Sequence, residues 1–265
     1  MQARQLPAAR GWAWIVEGFR LFRRNPPLIT FLVFGYWFLL AAINVFPLIG
    51  QVAASLAMPA LSVSVANGCR AVDRGDPGRF DLMFSGFRLN LPNLLRLGAI
   101  YFLFTLAVLG ASTLVDDGLL WQAAIKGQKI TAETLRDTNL MAALQFALVL
   151  AMPVTMANWF APLLVAWADM PTGKSLFFSF FSCLRNWRPF LIYGLGVMLI
   201  SAVLPGLIVG AAAAVSEAAS NMVSVAVVMV LVFLFVPTLF ASFYVSARDV
   251  FVEFAPDVSR PGHVE

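Results

Sequence analysis

Residues 18–73 read GFRLFRRNPPLITFLVFGYWFLLAAINVFPLIGQVAASLAMPALSVSVANGCRAVD. Between Arg24 and Arg70 this stretch holds 45 residues and no charged side chain. About 20 apolar residues in a helix cross the hydrocarbon core of a bilayer, so the uncharged run is long enough to cross twice. Turn-forming residues stand near its middle, at Asn44, Pro47, Gly50 and Gln51. The stretch therefore predicts two membrane-spanning helices joined by a turn.

Four further uncharged runs follow, between Arg96 and Asp116, Asp137 and Asp169, Arg188 and Glu217, and Glu217 and Arg248. The chain is 60% hydrophobic and 12% charged, about half the charged share of a soluble domain. Transmembrane strands are about 10 residues long with alternating polarity, so continuous apolar runs indicate helices. The sequence predicts an all-α polytopic membrane protein with six spans, at approximately 27–46, 51–72, 94–115, 140–166, 189–215 and 222–247.

The pattern of the first stretch recurs along the chain. Each copy has an aromatic segment, a proline near the start of one span, a proline inside the next span and an aspartate after it. The first copy contains Gly18-Phe19-Arg20-Leu21, Pro26, Ala57-Met58-Pro59 and Asp73. The second contains Gly86-Phe87-Arg88-Leu89, Pro92, Ala151-Met152-Pro153 and Asp169. A looser third contains Ser182-Cys183-Leu184-Arg185, Pro189, Phe235-Val236-Pro237 and Asp249.

We therefore expect three repeats, over approximately 11–73, 74–169 and 170–249, in a single integral membrane domain covering 1–265. Two crossings return the chain to the same membrane face, so the repeats are parallel and related by an axis along the membrane normal. A pseudo-threefold packing of the six spans follows. The outer stretch 116–139 is an insertion in the second repeat, with turn signals at Gly118 and Gly127 and a candidate helix cap at Thr131. A flexible tail is predicted over 250–265.

A short amphipathic segment precedes the first, third and fifth spans. Apolar side chains recur there at helical spacing, and polar residues such as Glu17, Arg20, Arg88 and Ser179 mark another face. Aromatic-rich helices that are too short or too polar to span lie in the membrane interface. The alternative is that the segments are ordinary solvated cytoplasmic loops. The apolar positions are Trp12, Ile15, Val16, Phe19 and Phe22; Phe80, Met83, Phe84, Phe87 and Leu91; and Phe177, Phe180, Phe181 and Leu184.

The basic residues predict the orientation. With a cytoplasmic N-terminus, 15 of the 18 Lys and Arg residues fall on the inner side, and only Lys126, Lys129 and Arg136 fall outside. Such a bias in short loops sets topology, so both termini are predicted in the cytoplasm of a bacterial cell, with the chain in the inner membrane. The net charge of +4 comes from residues at span ends, where anionic headgroups attract them, and predicts no nucleic-acid partner. Cys69 and Cys183 fit no metal-site spacing.

Three prolines are candidate helix kinks. Pro59, Pro153 and Pro237 each fall inside the second span of a repeat, where proline removes a backbone hydrogen bond. Three equivalent kinks would fit a gated vestibule. The competing interpretation is that membrane helices tolerate proline.

Candidate ion pairs join the repeats. Asp73, Asp169 and Asp249 end the second spans, where a carboxylate faces the negative end of the helix dipole. Pairing with an arginine of an amphipathic segment would relieve that repulsion and clamp neighbouring repeats. The arginines proposed are Arg20, Arg88 and Arg185. Solvated loop carboxylates or helix caps are the alternative.

Chemistry-bearing groups are sparse. The one histidine, His263, is close to the C-terminus, and no motif for a nucleophile, a metal or a phosphate loop is present in the sequence. We expect no catalytic residue, no metal and no cofactor. Gln145, Thr155 and Asn158 share the fourth span as candidate polar bundle residues, and hydrogen bonding between helices is favoured over a substrate path for them.

The two Gly-Phe-Arg-Leu segments and the two Ala-Met-Pro segments resemble a family of uncharacterised proteobacterial six-span inner-membrane proteins. More distantly, the pattern resembles the membrane domain attached to some bacterial glycerophosphodiester phosphodiesterases. The resemblance covers approximately 11–249 and carries no catalytic residues to transfer. This sequence also lacks the soluble phosphodiesterase domain.

These observations predict a multi-pass inner-membrane protein without catalytic activity. Its expected role is an envelope function that involves membrane lipids or a membrane-protein partner. A channel or carrier for a neutral or amphipathic solute is the first alternative, and an accessory subunit of a larger membrane complex is the second. A carrier would have a polar cavity lined by the proline-bearing spans, whereas a lipid-handling protein would open laterally between repeats.

Overall fold

A computed structural model describes residues 2–46, 49–76, 78–126 and 138–254. The described chain is helical, with one isolated antiparallel bridge between Ala3 and Phe251. Its α-helices are α1 (Arg10–Phe22), α2 (Pro26–Ile43), α3 (Ile49–Asp73), α4 (Leu91–Asp116), α5 (Leu119–Lys126), α6 (Thr138–Trp159), α7 (Ala161–Ala168), α8 (Thr172–Arg185), α9 (Trp187–Met198), α10 (Leu204–Ala213), α11 (Glu217–Val230) and α12 (Val236–Val250). A 3₁₀-helix forms at Phe80–Arg88, and π-helical turns form at Leu199–Val203 and Leu231–Phe235.

Six helical segments are long and apolar enough to cross a membrane, which confirms the predicted fold class. The sixth begins at Glu217, five residues before the predicted start. Ser216 caps it, because its side-chain oxygen accepts a hydrogen bond from the Ala219 N–H at 3.0 Å. The six are Pro26–Ile43, Ile49–Asp73, Leu91–Asp116, Asn139–Ala168, Trp187–Ala213 and Glu217–Val250.

The described residues divide into two compact units. The first unit comprises Met1–Trp37, Leu61–Gly86 and Ser182–Glu265, and the second comprises Phe38–Ala60 and Phe87–Phe181. Fully buried side chains of the first unit include Trp14, Ile29, Leu32, Leu61 and Tyr244. Those of the second include Leu94, Leu97, Phe160, Leu163 and Leu164.

In the first unit, α1 lies against α12 and α9 at close range. A Cβ atom on Gly18 would lie 2.7 Å from the backbone nitrogen of Ser242, and one on Gly11 would lie 2.7 Å from the nitrogen of Tyr193. Trp14 lies between these glycines and packs edge-on against Phe190 and Tyr193, with ring centroids 5.3 and 6.0 Å apart. The glycines therefore let α1 approach two spans closely enough to bury the whole Trp14 side chain.

In the second unit, the fourth span is interrupted between α6 and α7. A regular helix would join the Phe160 N–H to the Met156 carbonyl. Instead, the Ser179 hydroxyl accepts from the Phe160 N–H at 2.9 Å and donates to the Met156 oxygen at 2.8 Å. Pro162 follows at once and has no N–H to donate. A side chain inserted into the hydrogen-bond ladder thus divides the span.

The three predicted amphipathic segments are helical, but the second is a 3₁₀-helix, Phe80–Arg88. In α8 the serine face is buried, with Ser175, Ser179 and Ser182 at most 3% exposed. Its aromatic face points outward, with Phe177 60% and Phe181 48% exposed. The surface of this helix is therefore apolar and its packed face is polar, opposite to the pattern of a helix on a water-soluble domain.

The predicted outer insertion contains a helix that its turn signals did not indicate. Gly118 adopts a positive φ of 89°, as its predicted turn requires. The buried Asp116 then accepts hydrogen bonds from the N–H groups of Gly118 and Leu120, at 3.0 and 2.7 Å, and so starts α5. The predictions for Pro47, Gly127, Thr131 and His263, and for most of the tail, lie outside the described residues.

Candidate functional site

The three predicted kink prolines occupy different surroundings. Pro59 lies inside α3 and is buried, whereas Pro153 lies inside α6 and is exposed. Pro237 is the second residue of α12 and follows the π turn Leu231–Phe235. Pro205, which the repeat pattern did not single out, likewise follows the π turn Leu199–Val203 as the second residue of α10. Pro205 in the fifth span and Pro237 in the sixth therefore each follow a widened helical turn.

An apolar pocket of about 620 Å³ lies between α1 and the fifth and sixth spans, within the first unit. Its volume is in the range of small-molecule sites, about 300–1,000 Å³. Thr238 is the one polar residue among those that line it. The others are Trp12, Ile15, Val16, Phe19, Ile200, Leu204, Pro205, Ile208, Val223, Ala226, Val227, Val230, Leu231, Leu234 and Phe235.

Two faces of α1 carry different contacts. Trp14, Gly18 and Leu21 belong to the buried face that packs on protein. Trp12, Val16 and Phe19 follow one another at i, i+4 and i+7 and line the apolar pocket. Four residues of the apolar stripe predicted for α1 line the pocket, whereas the fifth, Phe22, is buried in the protein. The buried face, with its two glycines, was not recognised from the sequence.

Both π turns contribute to the pocket wall. Ile200 comes from the first, and Leu231, Leu234 and Phe235 come from the second. Single π turns inside α-helices occur frequently at functional sites, because the extra residue per turn shifts which side chains face a neighbour. Two of them on the walls of one cavity mark it as the candidate site.

The pocket is open to the surface. Several lining side chains are about half exposed, including Trp12 at 46%, Ile208 at 53% and Val230 at 56%. Its wall on the sixth span runs from Val223 to Thr238, roughly 22 Å at the rise of a helix. This length exceeds half of a hydrocarbon core about 30 Å thick. The shape fits an elongated apolar ligand that enters from the surface between α1 and the fifth and sixth spans.

Beside α1 the first unit holds a network of ion pairs. Its members are Arg10, Glu17, Arg24, Asp73, Arg248 and Asp249. Glu17 bridges two arginines, with one oxygen 2.9 Å from Arg10 Nη1 and the other 2.7 Å from Arg248 Nη2. Arg248 continues to Asp73 at 2.9 Å, which also accepts from the Tyr244 hydroxyl at 3.0 Å.

Asp249 closes the ion-pair network, because it contacts both Arg10 and, at 3.6 Å, Arg248. It accepts from Arg10 Nε at 2.9 Å, from a second nitrogen of Arg10, and from the indole N–H of Trp14 at 3.0 Å. Burial lowers the pKa of Arg10, but the hydrogen bonds and charges of Asp249 and Glu17 together raise it above its usual value. Arg10 is therefore charged at every physiological pH, and the network joins α1 to the ends of α3 and α12.

The structure gives the three predicted aspartates other partners than those proposed. Asp73 pairs with Arg24 and Arg248, and Asp249 pairs with Arg10. Asp169 accepts a hydrogen bond from the Asn90 amide at 2.5 Å, and both residues have left-handed backbone conformations. Within the described residues no ion pair joins these aspartates to Arg20, Arg88 or Arg185, all of which are exposed.

The candidate polar residues of the fourth span face outward or bond locally. Gln145 and Thr155 are exposed, and the Thr155 hydroxyl donates to the Ala151 carbonyl at 2.9 Å. The Asn158 amide donates to the Val154 carbonyl in its own helix, also at 2.9 Å. Both of these hydrogen bonds lie within the fourth span, and none of the three residues lines the apolar pocket.

The chain is similar to a protein of Burkholderia thailandensis that is named as a probable inner membrane protein. The two are 32% identical over 268 residues, which cover 99% of this chain and 96% of the relative. No protein-family model matches the chain, and no solved structure matches it. Nothing in these comparisons supports the more distant resemblance to the membrane domain of glycerophosphodiester phosphodiesterases.

Proposed function

The chain belongs to the same family as the probable inner membrane protein of Burkholderia thailandensis, and on that premise we propose that it is a non-catalytic membrane protein that binds one acyl chain of a membrane lipid in the apolar pocket. The six apolar helices and the inner-membrane relative support a pocket that faces lipid. The observation that carries the proposal is the pocket itself, which is long, open sideways and apolar except for Thr238.

The chemistry of the lining favours a lipid over a polar solute. A carrier for a neutral polar solute needs hydrogen-bonding groups along its path, because each unsatisfied polar group in an apolar medium costs several kcal/mol. The pocket offers one hydroxyl, and Thr238 already donates it to the Leu234 carbonyl at 2.7 Å. An acyl chain has no polar groups along its length and needs no hydrogen-bond partner in the pocket.

Binding of an acyl chain here depends on shape. A lipid tail gains little hydrophobic free energy when it moves from bilayer to protein, since both surroundings are apolar. The gain comes from packing contacts, each of about 0.1–0.2 kcal/mol, summed over the wall of the pocket. Aromatic side chains supply much of that wall through Trp12, Phe19 and Phe235. A lipid that fits should remain bound while the surrounding bilayer is exchanged for detergent.

Purification in mild detergent followed by native mass spectrometry tests the proposal. We expect wild-type protein to retain lipid, and Ala226→Trp, which places a large side chain in the pocket, to retain several-fold less. The matched control is Val225→Trp, because Val225 is the adjacent residue on the same helix, is 60% exposed and is outside the pocket lining. The control should retain as much lipid as wild type.

Two results would contradict acyl-chain binding. Wild-type protein without lipid, copurifying with a fixed protein partner, would favour the accessory-subunit role. Equal retention by Ala226→Trp and Val225→Trp would place the bound lipid somewhere other than the apolar pocket. Size-exclusion profiles matching wild type establish that both variants are folded.

A further inference from the structure

The pocket-lining stripe of α1 continues into a cation. Trp12, Val16 and Phe19 are followed at the next helical position on the same face by Arg23, the C-cap residue, whose backbone is still helical. The guanidinium carbon of Arg23 lies over the Phe19 ring, 5.8 Å from its centroid. This contact holds the positive charge beside an aromatic side chain of the pocket wall.

Arg23 differs from Arg10, Arg24 and Arg248, which pair with carboxylates. Arg24, the next residue, contacts Asp73 at 3.4 Å, and Arg10 and Arg248 belong to the ion-pair network. Within the described part of the chain, no carboxylate pairs with Arg23, which is exposed. Arg20 on the same helix is likewise exposed, but Arg23 is the arginine whose guanidinium lies over the Phe19 ring of the pocket wall.

We infer that the lipid bound in the apolar pocket is an anionic phospholipid whose headgroup phosphate binds Arg23, an inference that rests on the proposed function. A guanidinium donates two parallel hydrogen bonds to phosphate oxygens, which suits a headgroup better than a neutral acceptor. The predicted topology places α1 at the cytoplasmic leaflet, where basic segments meet anionic headgroups. The acyl chain then descends along the α1 stripe between the fifth and sixth spans.

The geometry also explains why a charged residue ends an otherwise apolar stripe. A phosphate bound to Arg23 lies at the level of α1, and the apolar pocket extends roughly 22 Å along the sixth span. One lipid can therefore place its phosphate on the guanidinium and its acyl chain on the apolar lining. A zwitterionic lipid such as phosphatidylethanolamine carries the same phosphate, but its ammonium group offsets that charge and repels the guanidinium, so its headgroup binds Arg23 more weakly. Arg23 therefore determines which headgroup is preferred, and the apolar lining determines whether a lipid stays.

A competition between two defined lipids tests this inference. Detergent-purified protein is incubated with equal amounts of phosphatidylglycerol and phosphatidylethanolamine of identical acyl chains, and the bound ratio is read by native mass spectrometry. We expect wild type to prefer phosphatidylglycerol and Arg23→Gln to lose about tenfold of that preference, the size of a charge-assisted hydrogen bond. Arg23→Lys keeps the charge without the fork and should lose less.

Arg20→Gln is the matched control, because Arg20 is exposed on the same helix, whereas the guanidinium that lies over the Phe19 ring is that of Arg23. Its bound ratio should stay within about twofold of wild type, since it removes only general attraction to anionic lipid. An unchanged ratio in Arg23→Gln, or equal losses in Arg20→Gln and Arg23→Gln, would overturn the inference while leaving acyl-chain binding intact. A wild-type protein that holds neither lipid would instead refute the proposed function.

Discussion

Single glycines set how closely the helices of each unit approach. A Cβ on Gly18 would meet the backbone of Ser242, and one on Gly98 would lie 2.4 Å from the carbonyl oxygen of Ser55. Backbone atoms cannot rotate aside as a flexible side chain can, so the whole helix would have to move. The same position of the other Gly-Phe-Arg-Leu segment is Gly86, whose N–H donates to the Ser64 hydroxyl at 2.9 Å. Both motif glycines thus pack against a serine five residues after a kink proline.

Replacing Gly18 by alanine should therefore destabilise the protein by about 1–3 kcal/mol, through overpacking against Ser242. Thermal unfolding in detergent, followed by circular dichroism, measures the change. Gly210→Ala is the control, because a Cβ there meets no atom within 4 Å and alanine is the better helix former. A Gly18→Ala midpoint equal to that of Gly210→Ala would show that the contact between α1 and α12 is looser than described.

Glu17 is the shortest bridge in the ion-pair network, with Arg10 at 2.9 Å and Arg248 at 2.7 Å, whereas Asp249 contacts Arg10 closely but Arg248 only at 3.6 Å. Glu17→Gln keeps the shape and removes the charge, and we expect a loss of about 1–2 kcal/mol, the lower part of the range for hydrogen bonds to charged groups because the site is partly exposed. Asp81→Asn, in an exposed pair with Arg79, should cost less than about 0.5 kcal/mol. Chemical unfolding of both variants in parallel gives the comparison, and equal losses would refute the bridging role.

Among the elements, the divided fourth span has the most specific cause. The Ser179 hydroxyl replaces a direct backbone hydrogen bond between Phe160 and Met156, and so joins α8 to the interruption between α6 and α7. Ser175, one turn earlier on α8, is equally buried but donates only to the Thr172 carbonyl in its own helix. Substituting the two serines one at a time therefore distinguishes an effect on the fourth span from an effect on α8 itself.

Ser179→Ala removes both hydrogen bonds and should destabilise the protein by about 1–3 kcal/mol. Ser175→Ala should change stability by less than about 0.5 kcal/mol, because only a local bond is lost. Hydrogen–deuterium exchange of residues 156–164 provides a second readout, and it should rise in Ser179→Ala alone. Equal exchange in the two variants would mean that the span is divided by Pro162 without help from Ser179.

The sequence predicts those elements that depend on local hydropathy and misses those that depend on contacts between distant residues. Uncharged runs such as 25–69 determine membrane helices by themselves, because the cost of a charge in lipid is local. The bridge at Ser179, the π turns before Pro205 and Pro237, and the start of α5 at Asp116 depend on tertiary contacts or on local hydrogen bonds that hydropathy does not record. The arginine partners of Asp73 and Asp249 were missed for the same reason, since packing decides which face of α1 meets α12.

Over the molecule as a whole, apolar surface covers the outside of the helices. Large side chains such as Phe38, Leu114, Met222 and Leu148 are more than two-thirds exposed. A soluble protein does not expose apolar surface on this scale, whereas hydrocarbon solvates it at no cost. The polar contacts are correspondingly placed inside, as with the buried serines of α8 and the half-buried network beside α1. The exposed apolar surface is therefore suited to a membrane, and the apolar pocket continues that surface inward.

The predicted orientation is testable with the cysteines that the chain already has. Cys69 and Cys183 are both buried, so wild-type protein should react little with a membrane-impermeant maleimide. Val215 is 81% exposed between the fifth and sixth spans, and the Arg79 side chain is 83% exposed between the second and third. Spheroplasts should label Val215→Cys directly and label Arg79→Cys only after permeabilisation, because three spans separate the two positions and the basic residues put 79 inside.

The labelling pattern tests both the orientation of the chain and the number of spans between residues 79 and 215. Wild-type protein and permeabilised spheroplasts give the background and the maximum signal for each position. Reversed labelling, with Arg79→Cys reactive in intact spheroplasts and Val215→Cys protected, would keep six crossings but place α1 and Arg23 at the outer leaflet. Labelling of both positions from one side would instead require an even number of crossings between them. That result would contradict the third to fifth spans as drawn, and with them the parallel arrangement of the repeats.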